Sequence, residues 1–335
     1  GAMDFVALGR ESVCVPHLPE KIKEGRLDEI LTCTGCMQRC LYPNSFEEGF
    51  GISCIINPFS GKEHIWEITP AEKKKKIAVV GAGPVGLQAA WILAKRGHEV
   101  KVYEKEITAG GQYRLAAVPA MKQELAKTIS TYLTFCKKYG AEVIYGVKAT
   151  KEMLEQEGFD EIILACGAQP LVPRIPGIDG ENVYLANQVL SFDVRLSGQK
   201  ILVLGAGLVG AEAAEVLSTY GNKVTVVDML DKAAPLAPLR PRENLLSRLD
   251  KAGVGFCLNS RVCEIRPDGI RYDQNGETKE MTGFDSIVLA FGSRSDKALE
   301  TEYEGDHRIH SVGDCLTAGD AKKGIYEATK LAMVL

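Results

Sequence analysis

KIAVVGAGPVG at residues 76–86 and KILVLGAGLVG at residues 200–210 are two copies of one stretch, 124 positions apart. Each copy begins with an apolar run rich in β-branched residues, which predicts a strand, and continues through three glycines into a helical pattern. The repeat extends beyond the glycines, because Glu104 matches Asp228 at the same offset. The sequence therefore predicts an α/β fold with two Rossmann-like units and parallel sheets.

The glycines of each copy predict a dinucleotide-binding turn. The first glycine permits a tight bend, the second lets the backbone approach a pyrophosphate, and the third lets the helix pack closely, with the phosphates facing its N-terminus. An acid at the end of the next strand accepts hydrogen bonds from ribose hydroxyls. The candidate residues are Gly81, Gly83, Gly86 and Glu104 in the first copy and Gly205, Gly207, Gly210 and Asp228 in the second. Ordinary glycine-rich turns are the alternative, and the recurrence of the whole pattern disfavours it.

Asp228 also bears on which nicotinamide cofactor binds. Its carboxylate would repel a 2′-phosphate and accept a hydrogen bond from a 2′-hydroxyl. No arginine follows it directly, since the next residues are Met229 and Leu230. The sequence therefore favours NADH over NADPH.

Four of the ten cysteines crowd into a short early stretch with the spacing C-x2-C-x3-C-x13-C. Cys33, Cys36 and Cys40 can bring three thiolates to one metal centre, and Cys54 can add a fourth from a loop. Because the chain is long and has no secretory signal, metal binding is favoured over disulfides. Spacing alone prefers an iron-sulfur cluster to zinc only modestly, and four unligated structural cysteines are a further alternative.

Size and charge exclude several classes of function. The chain has 335 residues, enough for two or more domains, and 45% of them are hydrophobic. A net charge of −4 gives no global positive field, so neither nucleic acid nor a membrane surface is an expected partner. No apolar run approaches the roughly 18 to 20 residues that span a bilayer. A cytoplasmic location is expected, and residues 1–3 are typical of a scar left by tag removal.

A second pair of similar segments lies at residues 163–168 and 288–293, each a predicted strand that ends in a glycine turn, at Gly167 and Gly292. With the glycine motifs and SVGD at residues 311–314, these segments resemble the two-dinucleotide-domain flavoprotein reductases. The resemblance implies that the first unit binds FAD and that the second, inserted into it, binds NAD(P)H.

The same resemblance implies roles for residues outside the repeats. Asp314 is expected to bond the ribityl chain of the flavin, and Gly111 and Gln112 are expected to lie in a turn against it. Cys166 stands where that family usually has Thr and is interpreted as a packing residue. No cysteine pair of the kind that disulfide reductases place against the flavin is identified.

The N-terminal region carries a more specific resemblance. DFVALGR at residues 4–10, LPEK at 18–21, the cysteine motif and CIINP at 54–58 resemble the C-terminal half of the 2,4-dienoyl-CoA reductase and trimethylamine dehydrogenase family. Those enzymes join an FMN-binding (β/α)8 barrel to a 4Fe-4S segment and to FAD and NAD domains. The resemblance implies a 4Fe-4S cluster on the four cysteines and a barrel, with its substrate site, that this chain lacks.

The implied domain organisation has four parts. They are residues 1–28, the tag scar and the remnant of the last barrel strand and helix; 29–70, the iron-sulfur segment; 71–195 with 296–335, the FAD domain; and 196–295, the NAD(H) domain. Having lost its barrel neighbours, the segment 4–28 is expected to be disordered or to pack differently than in a complete enzyme.

The implied function is an NADH-oxidising electron-transfer module. Electrons would pass from NADH through FAD to the 4Fe-4S cluster and on to FMN in the barrel, which reduces an activated alkene of the enoate or enoyl-CoA type. Hydride transfer needs no general acid or base, so no catalytic side chain is predicted. The expected partners are the missing barrel domain and a small-molecule substrate, and an oligomer is compatible with the sequence. The alternatives are a zinc-stabilised nucleotide-binding protein without redox activity and a glutamate synthase-like electron-input subunit, which normally carries two cluster motifs.

Overall fold

The computed structural model describes residues 3–41 and 51–335, which form two compact units. The first comprises Gly1–Arg114, Glu124–Ala168 and Ser295–Leu335, and the second comprises Leu115–Gln123 and Gln169–Arg294. The first two residues of the predicted tag scar and residues 42–50 of the predicted iron-sulfur segment lie outside the described residues.

A five-stranded parallel sheet forms the centre of the first unit. Its strands are β1 (Lys76–Val80), β2 (Glu99–Glu104), β3 (Glu142–Tyr145), β4 (Glu161–Leu164) and β15 (Ile309–Ser311), in the order β15-β4-β1-β2-β3. The side chains of Ile77, Ala78 and Val79 are fully buried, so both faces of β1 are covered, as in parallel sheets generally.

The helix α3 (Pro84–Lys95) of the first unit is nearly all apolar. It contacts both α5 (Glu124–Tyr139) and α11 (Ala321–Val334) and lies close to β1, because Ala89 and Ala90 are small. The helices are α1 (Arg10–Cys14), α2 (Leu18–Lys23), α3 (Pro84–Lys95), α4 (Gln112–Ala116), which runs into the second unit, α5 (Glu124–Tyr139), α6 (Lys151–Glu157), α10 (Ala298–Glu302) and α11 (Ala321–Val334).

The second unit repeats the first sheet strand for strand. Its parallel strands are β6 (Val183–Leu185), β7 (Lys200–Leu204), β8 (Lys223–Val227), β9 (Gly255–Cys257) and β13 (Ser286–Leu289), in the order β6-β13-β7-β8-β9. Its helices are α7 (Ala186–Leu190), α8 (Leu208–Thr219) and α9 (Leu239–Lys251). An antiparallel sheet of β10 (Ser260–Arg266), β11 (Gly269–Gln274) and β12 (Glu277–Thr282) is added before β13, and the short strands β5 (Ala168–Pro170) and β14 (Ser293–Ser295) pair with each other. The predicted α/β class is confirmed.

The main crossing into the second unit lies earlier than predicted. The sequence placed the start of the NAD(H) domain at residue 196, whereas the long segment of the second unit begins at Gln169, and the short segment Leu115–Gln123 also belongs to that unit. The physical reason is that β6 pairs with β13, with Val183 opposite Ile287, so this strand belongs to the second sheet. The chain returns at Ser295, one residue from the predicted boundary.

The N-terminal segment is helical where it is buried. Residues 3–9 form no strand, because a lone strand has no partner for its backbone groups. From Arg10 onward α1 and α2 form, and Cys14, Val15 and Leu18 are buried in the same core as α3. Phe5, by contrast, is 93% exposed. Of the two outcomes expected for the segment 4–28, disorder does not describe residues 10–23, which are helical and packed against this core.

No helix in the described part of the chain combines the length and apolar character that crossing a lipid bilayer requires.

Candidate functional site

The first glycine turn has no room for a side chain at two of its three glycines and has open space at the other. A β-carbon added at Gly81 would lie 2.4 Å from the carbonyl oxygen of Ala165, and one at Gly86 would lie 2.0 Å from that of Gly81. Gly81 also has a φ of +108°, so only glycine is tolerated there. At Gly83, which precedes α3, nothing lies within 4 Å of such an atom. The turn thus leaves space for a ligand at the N-terminus of α3.

Glu104 holds this turn in shape. It is 5% exposed, and its two carboxylate oxygens accept hydrogen bonds from the backbone N–H groups of Ala82 (2.8 Å) and Glu106 (2.9 Å). Each oxygen keeps a second lone pair for a ribose hydroxyl. The predicted role is therefore compatible with the geometry, and Glu104 also fixes the bend itself.

The second glycine turn has the same geometry. A β-carbon added at Gly205 would lie 2.3 Å from the carbonyl oxygen of Ala290, and one at Gly210 would lie 1.9 Å from that of Gly205. Gly207, which precedes α8, is open like Gly83. The end of β13 leads into Gly292, with a φ of +96° and no atom within 4 Å of an added β-carbon.

Asp228 occupies the position of Glu104 in the second unit. Its carboxylate oxygens accept hydrogen bonds from the backbone N–H groups of Ala206 (2.5 Å) and Leu230 (2.8 Å). Met229, directly after it, is 65% exposed, so no cation covers the carboxylate from this position.

A further pair of corresponding contacts was missed by sequence reasoning. The N–H of Gly110 donates to the carbonyl of Ala82 (2.8 Å), and the N–H of Ala234 donates to the carbonyl of Ala206 (2.7 Å). Ala234 adopts a φ of +46°, which is uncommon for a residue other than glycine. The constant offset of the repeat pairs Gly110 with Ala234 and could have identified this contact. Ala234, however, belongs to no recognised motif.

Several predicted flavin residues converge on the first turn. A β-carbon at Gly111, with a φ of +48°, would lie 3.9 Å from the Cα of Gly83. The next residue, Gln112, donates from Nε2 to the carbonyl of Ala168 (2.5 Å), beside Gly167 with its φ of +79°. The structure thus brings Gly83, Gly111, Gln112 and Gly167 together.

Asp314 reaches the same place from the end of β15. It lies in the 3-10 turn Gly313–Cys315, where a β-carbon on Gly313 would meet the Val85 side chain at 3.0 Å. Its carboxylate accepts from the N–H of Gly319 (3.1 Å), and burial raises its pKa. A carboxylate with one backbone donor and restricted access to water is well suited to ribityl hydroxyls.

Cys166 lies beside Cys315, which is fully buried and donates to the carbonyl of Asp296 (3.3 Å). A hydrogen bond from the Cys166 thiol lowers the pKa of Cys315. Both side chains belong to an apolar cluster with Leu164 and Phe159. This contact agrees with the interpretation of Cys166 as a packing residue.

The four early cysteines are all partly buried and influence one another. Burial raises the pKa of Cys36 to about 11, and a charge on Cys54 acts in the same direction. The pKa of Cys54 is lowered because the Cys14 thiol and the N–H groups of Ile56 and Asn57 donate to its sulfur. Such donors stabilise thiolates, the form that binds metal.

The chain around these cysteines is turned by local contacts. The N–H of Cys33 donates to Glu11 of α1 (2.9 Å), and Gly35 and Met37 adopt φ values of +67° and +55°. Within residues 3–41 and 51–335 no three His, Cys, Asp or Glu side chains converge on a single-ion site. This finding does not count against a four-iron cluster, since such a cluster takes one thiolate at each iron.

Comparison with known proteins gives the family. The profile of the pyridine nucleotide-disulphide oxidoreductases matches residues 75–309. An NADH oxidase from Thermoanaerobacter brockii is 34% identical over 95% of this chain and 51% of its own length. A bilirubin reductase from Mediterraneibacter gnavus is 33% identical over 100% of this chain and 52% of its own. The structure of a 2-naphthoyl-CoA reductase superposes with a TM-score of 0.90 at 30% identity, over 97% of this chain and 50% of that one.

These comparisons confirm the resemblance to the C-terminal half of the 2,4-dienoyl-CoA reductase family and the type of fold. The chain spans about half the length of the curated relatives it matches. They support binding of FAD and NAD(P)H.

Proposed function

The chain belongs to the pyridine nucleotide-disulphide oxidoreductase family, and we propose that it is the NADH-oxidising part of a larger reductase. Electrons would leave through a 4Fe-4S cluster on Cys33, Cys36, Cys40 and Cys54 towards an FMN barrel that reduces an activated alkene. The observation that carries the proposal is the pair of matching glycine turns, one of which has the predicted flavin residues Gly111 and Gln112 close to Gly83. An NAD(P)H-dependent flavin oxidoreductase is thus the enzyme class, and its whole-protein reaction is the proposal.

The residues of the first unit would hold FAD by complementary groups. The open N-terminus of α3 after Gly83 would receive the pyrophosphate, Glu104 the adenosine ribose, and Asp314 the ribityl hydroxyls. Gly111 and Gln112 would bound the ring. When bound, FAD supplies the ability to take up a hydride and release electrons singly.

The identity of the substrate would be decided outside this chain. The two curated relatives carry different substrate-related names, NADH oxidase and bilirubin reductase, while sharing at least 33% identity with nearly all of this chain. This pattern is expected if the half of each enzyme that takes electrons from NADH is shared and the other half differs. The enoate or enoyl-CoA class is favoured by the 2-naphthoyl-CoA reductase, whose name specifies a CoA ester.

Asp228→Asn tests the preference for NADH. The substitution removes the charge that repels a 2′-phosphate, while the side-chain oxygen can still accept from Ala206. We expect the ratio of kcat/KM for NADH to that for NADPH to fall roughly 10- to 100-fold, corresponding to about 1.4 to 2.8 kcal/mol. Glu277→Gln, an isosteric loss of charge at the start of β12, is the control. An unchanged ratio in Asp228→Asn would assign cofactor choice elsewhere.

The proposal as a whole is tested by the visible spectrum of anaerobically purified protein, with iron and zinc assayed, before and after NADH. Flavin bands that bleach, with about four irons per chain, are expected. About eight irons would favour the glutamate synthase-like alternative. A colourless zinc protein that does not respond to NADH after FAD is supplied would overturn the redox function and favour a nucleotide-binding protein.

A further inference from the structure

The helix α1 is hydrogen-bonded to both stretches of chain that carry the early cysteines. On one side, the N–H of Cys33 donates to the carboxylate of Glu11 (2.9 Å). On the other, the side chain of Asn57, just after the last of the four cysteines, donates to the carbonyl of Cys14 (2.8 Å). These residues all belong to the first unit. The helix that the sequence assigned to the barrel remnant is therefore also part of the structure around the cysteines.

The two cysteine-bearing stretches are also joined directly to each other. The N–H of Ser53 donates to the carbonyl of Arg39 (3.2 Å), so the residues that precede Cys54 and Cys40 are hydrogen-bonded. Three of the four cysteines pack against one apolar core. A cluster that takes one thiolate at each iron fits this arrangement, because its ligands need not converge on a single ion.

Glu11 places a negative charge beside the first of the candidate ligands. A cysteine sulfur lies within about 4 Å of its own backbone nitrogen, so the Glu11 oxygen 2.9 Å from the nitrogen of Cys33 lies within about 7 Å of that sulfur. Glu11 is half-buried, and a charge at this distance acts on another charge more strongly there than in bulk water. The guanidinium of Arg10 acts in the opposite sense, since its Nη1 would lie 3.9 Å from a β-carbon on Gly35.

We propose that Glu11 is a positioning residue for the metal centre. Its carboxylate holds the backbone of Cys33 in place for iron, and its negative charge lowers the reduction potential of the cluster, because an added electron is less favourable beside it. Glu11 lies outside the motifs identified in the sequence, and the inference rests on the proposed function. Glu11 itself exchanges no electron in this role.

Glu11→Gln tests the charge, because the amide oxygen can still accept the hydrogen bond from Cys33. Wild-type protein and variant are purified anaerobically with FAD, and the midpoint potential of the cluster is measured by a redox titration followed by electron paramagnetic resonance. We expect the variant to keep about four irons per chain. Its potential should rise by about 59 mV, a tenfold change in a one-electron equilibrium.

Glu20→Gln is the matched control for the charge. It makes the same substitution on α2, where the side chain is 67% exposed and pairs with His17. Water and salt screen an exposed charge, so the potential of the cluster should stay at the wild-type value.

Glu11→Ala tests the hydrogen bond, because it removes the acceptor for the N–H of Cys33 as well as the charge. We expect this variant to lose iron to a chelator roughly tenfold faster than wild type, as in other losses of groups that orient metal ligands. Glu11→Gln should hold iron like wild type, which would show that an acceptor at this position is sufficient for retention.

Three results would overturn the proposal while the proposed function stands. They are an unchanged potential in Glu11→Gln with a full cluster, an equal shift in Glu20→Gln, and wild-type retention of iron in Glu11→Ala. Wild-type protein that binds no iron would overturn this proposal together with the proposed function, which is a distinct result.

Discussion

Gly83→Ala is expected to give a folded protein that no longer retains FAD. The position has a φ of −70° and ψ of 175°, which alanine adopts freely, and no atom lies within 4 Å of the added methyl group. The methyl would instead occupy the space where backbone must approach the pyrophosphate. We expect FAD affinity to fall roughly 100-fold or more, about 2.8 kcal/mol. Flavin absorbance per chain and the melting temperature of the FAD-free protein are the measurements.

The second turn supplies a matched control. Gly207→Ala makes the same change at an equally open position in the second unit, with a φ of −62°. It should retain FAD but lose rapid reduction by NADH, whereas Gly83→Ala should lose FAD itself. Gly86→Ala would fail differently, by unfolding the turn, since its methyl would lie 2.0 Å from the carbonyl oxygen of Gly81. Full retention of FAD in Gly83→Ala would show that the pyrophosphate does not lie at this turn.

The repeat explains how much of the two nucleotide turns could be predicted from sequence. Backbone clash leaves no choice of residue at Gly81 and Gly86, so the motif is visible in the sequence itself. Ala234 makes the same contact as Gly110, yet a single N–H to a carbonyl requires no particular side chain. Contacts made only by backbone groups therefore place little constraint on residue type and are hard to predict from the sequence.

Elements that depend on distant neighbours were harder to predict. The three-residue strand β6 joins the second sheet only through its pairing with β13, about a hundred positions later. Likewise the spacing of the cysteines predicted the candidate ligands but not Glu11, which accepts from the N–H of Cys33. Local patterns identify groups with special chemistry, whereas their surroundings are fixed by tertiary contacts.

Cys36→Ser is expected to remove the metal centre while sparing the nucleotide sites. Cys36 is one of the three closely spaced cysteines proposed as ligands, and serine oxygen is a poor replacement for thiolate at iron. Neither glycine turn depends on this side chain, so bleaching of the flavin by NADH should persist in stopped-flow measurements. Iron content should fall well below the wild-type value, and one-electron transfer beyond the flavin should be lost.

Cys263→Ser, on β10 in the second unit, is the control and should change neither iron content nor electron transfer. The two variants together separate the competing assignments of the cysteines. Under the iron-sulfur assignment, Cys36→Ser blocks electron exit but not NADH oxidation by the flavin. Under the zinc assignment, the metal supplies folding energy and no electron path, so Cys36→Ser would release zinc and lower the melting temperature, with no electron transfer to lose. Iron and zinc contents that stay unchanged in Cys36→Ser would contradict both metal assignments. The remaining interpretation would be four structural cysteines without a metal.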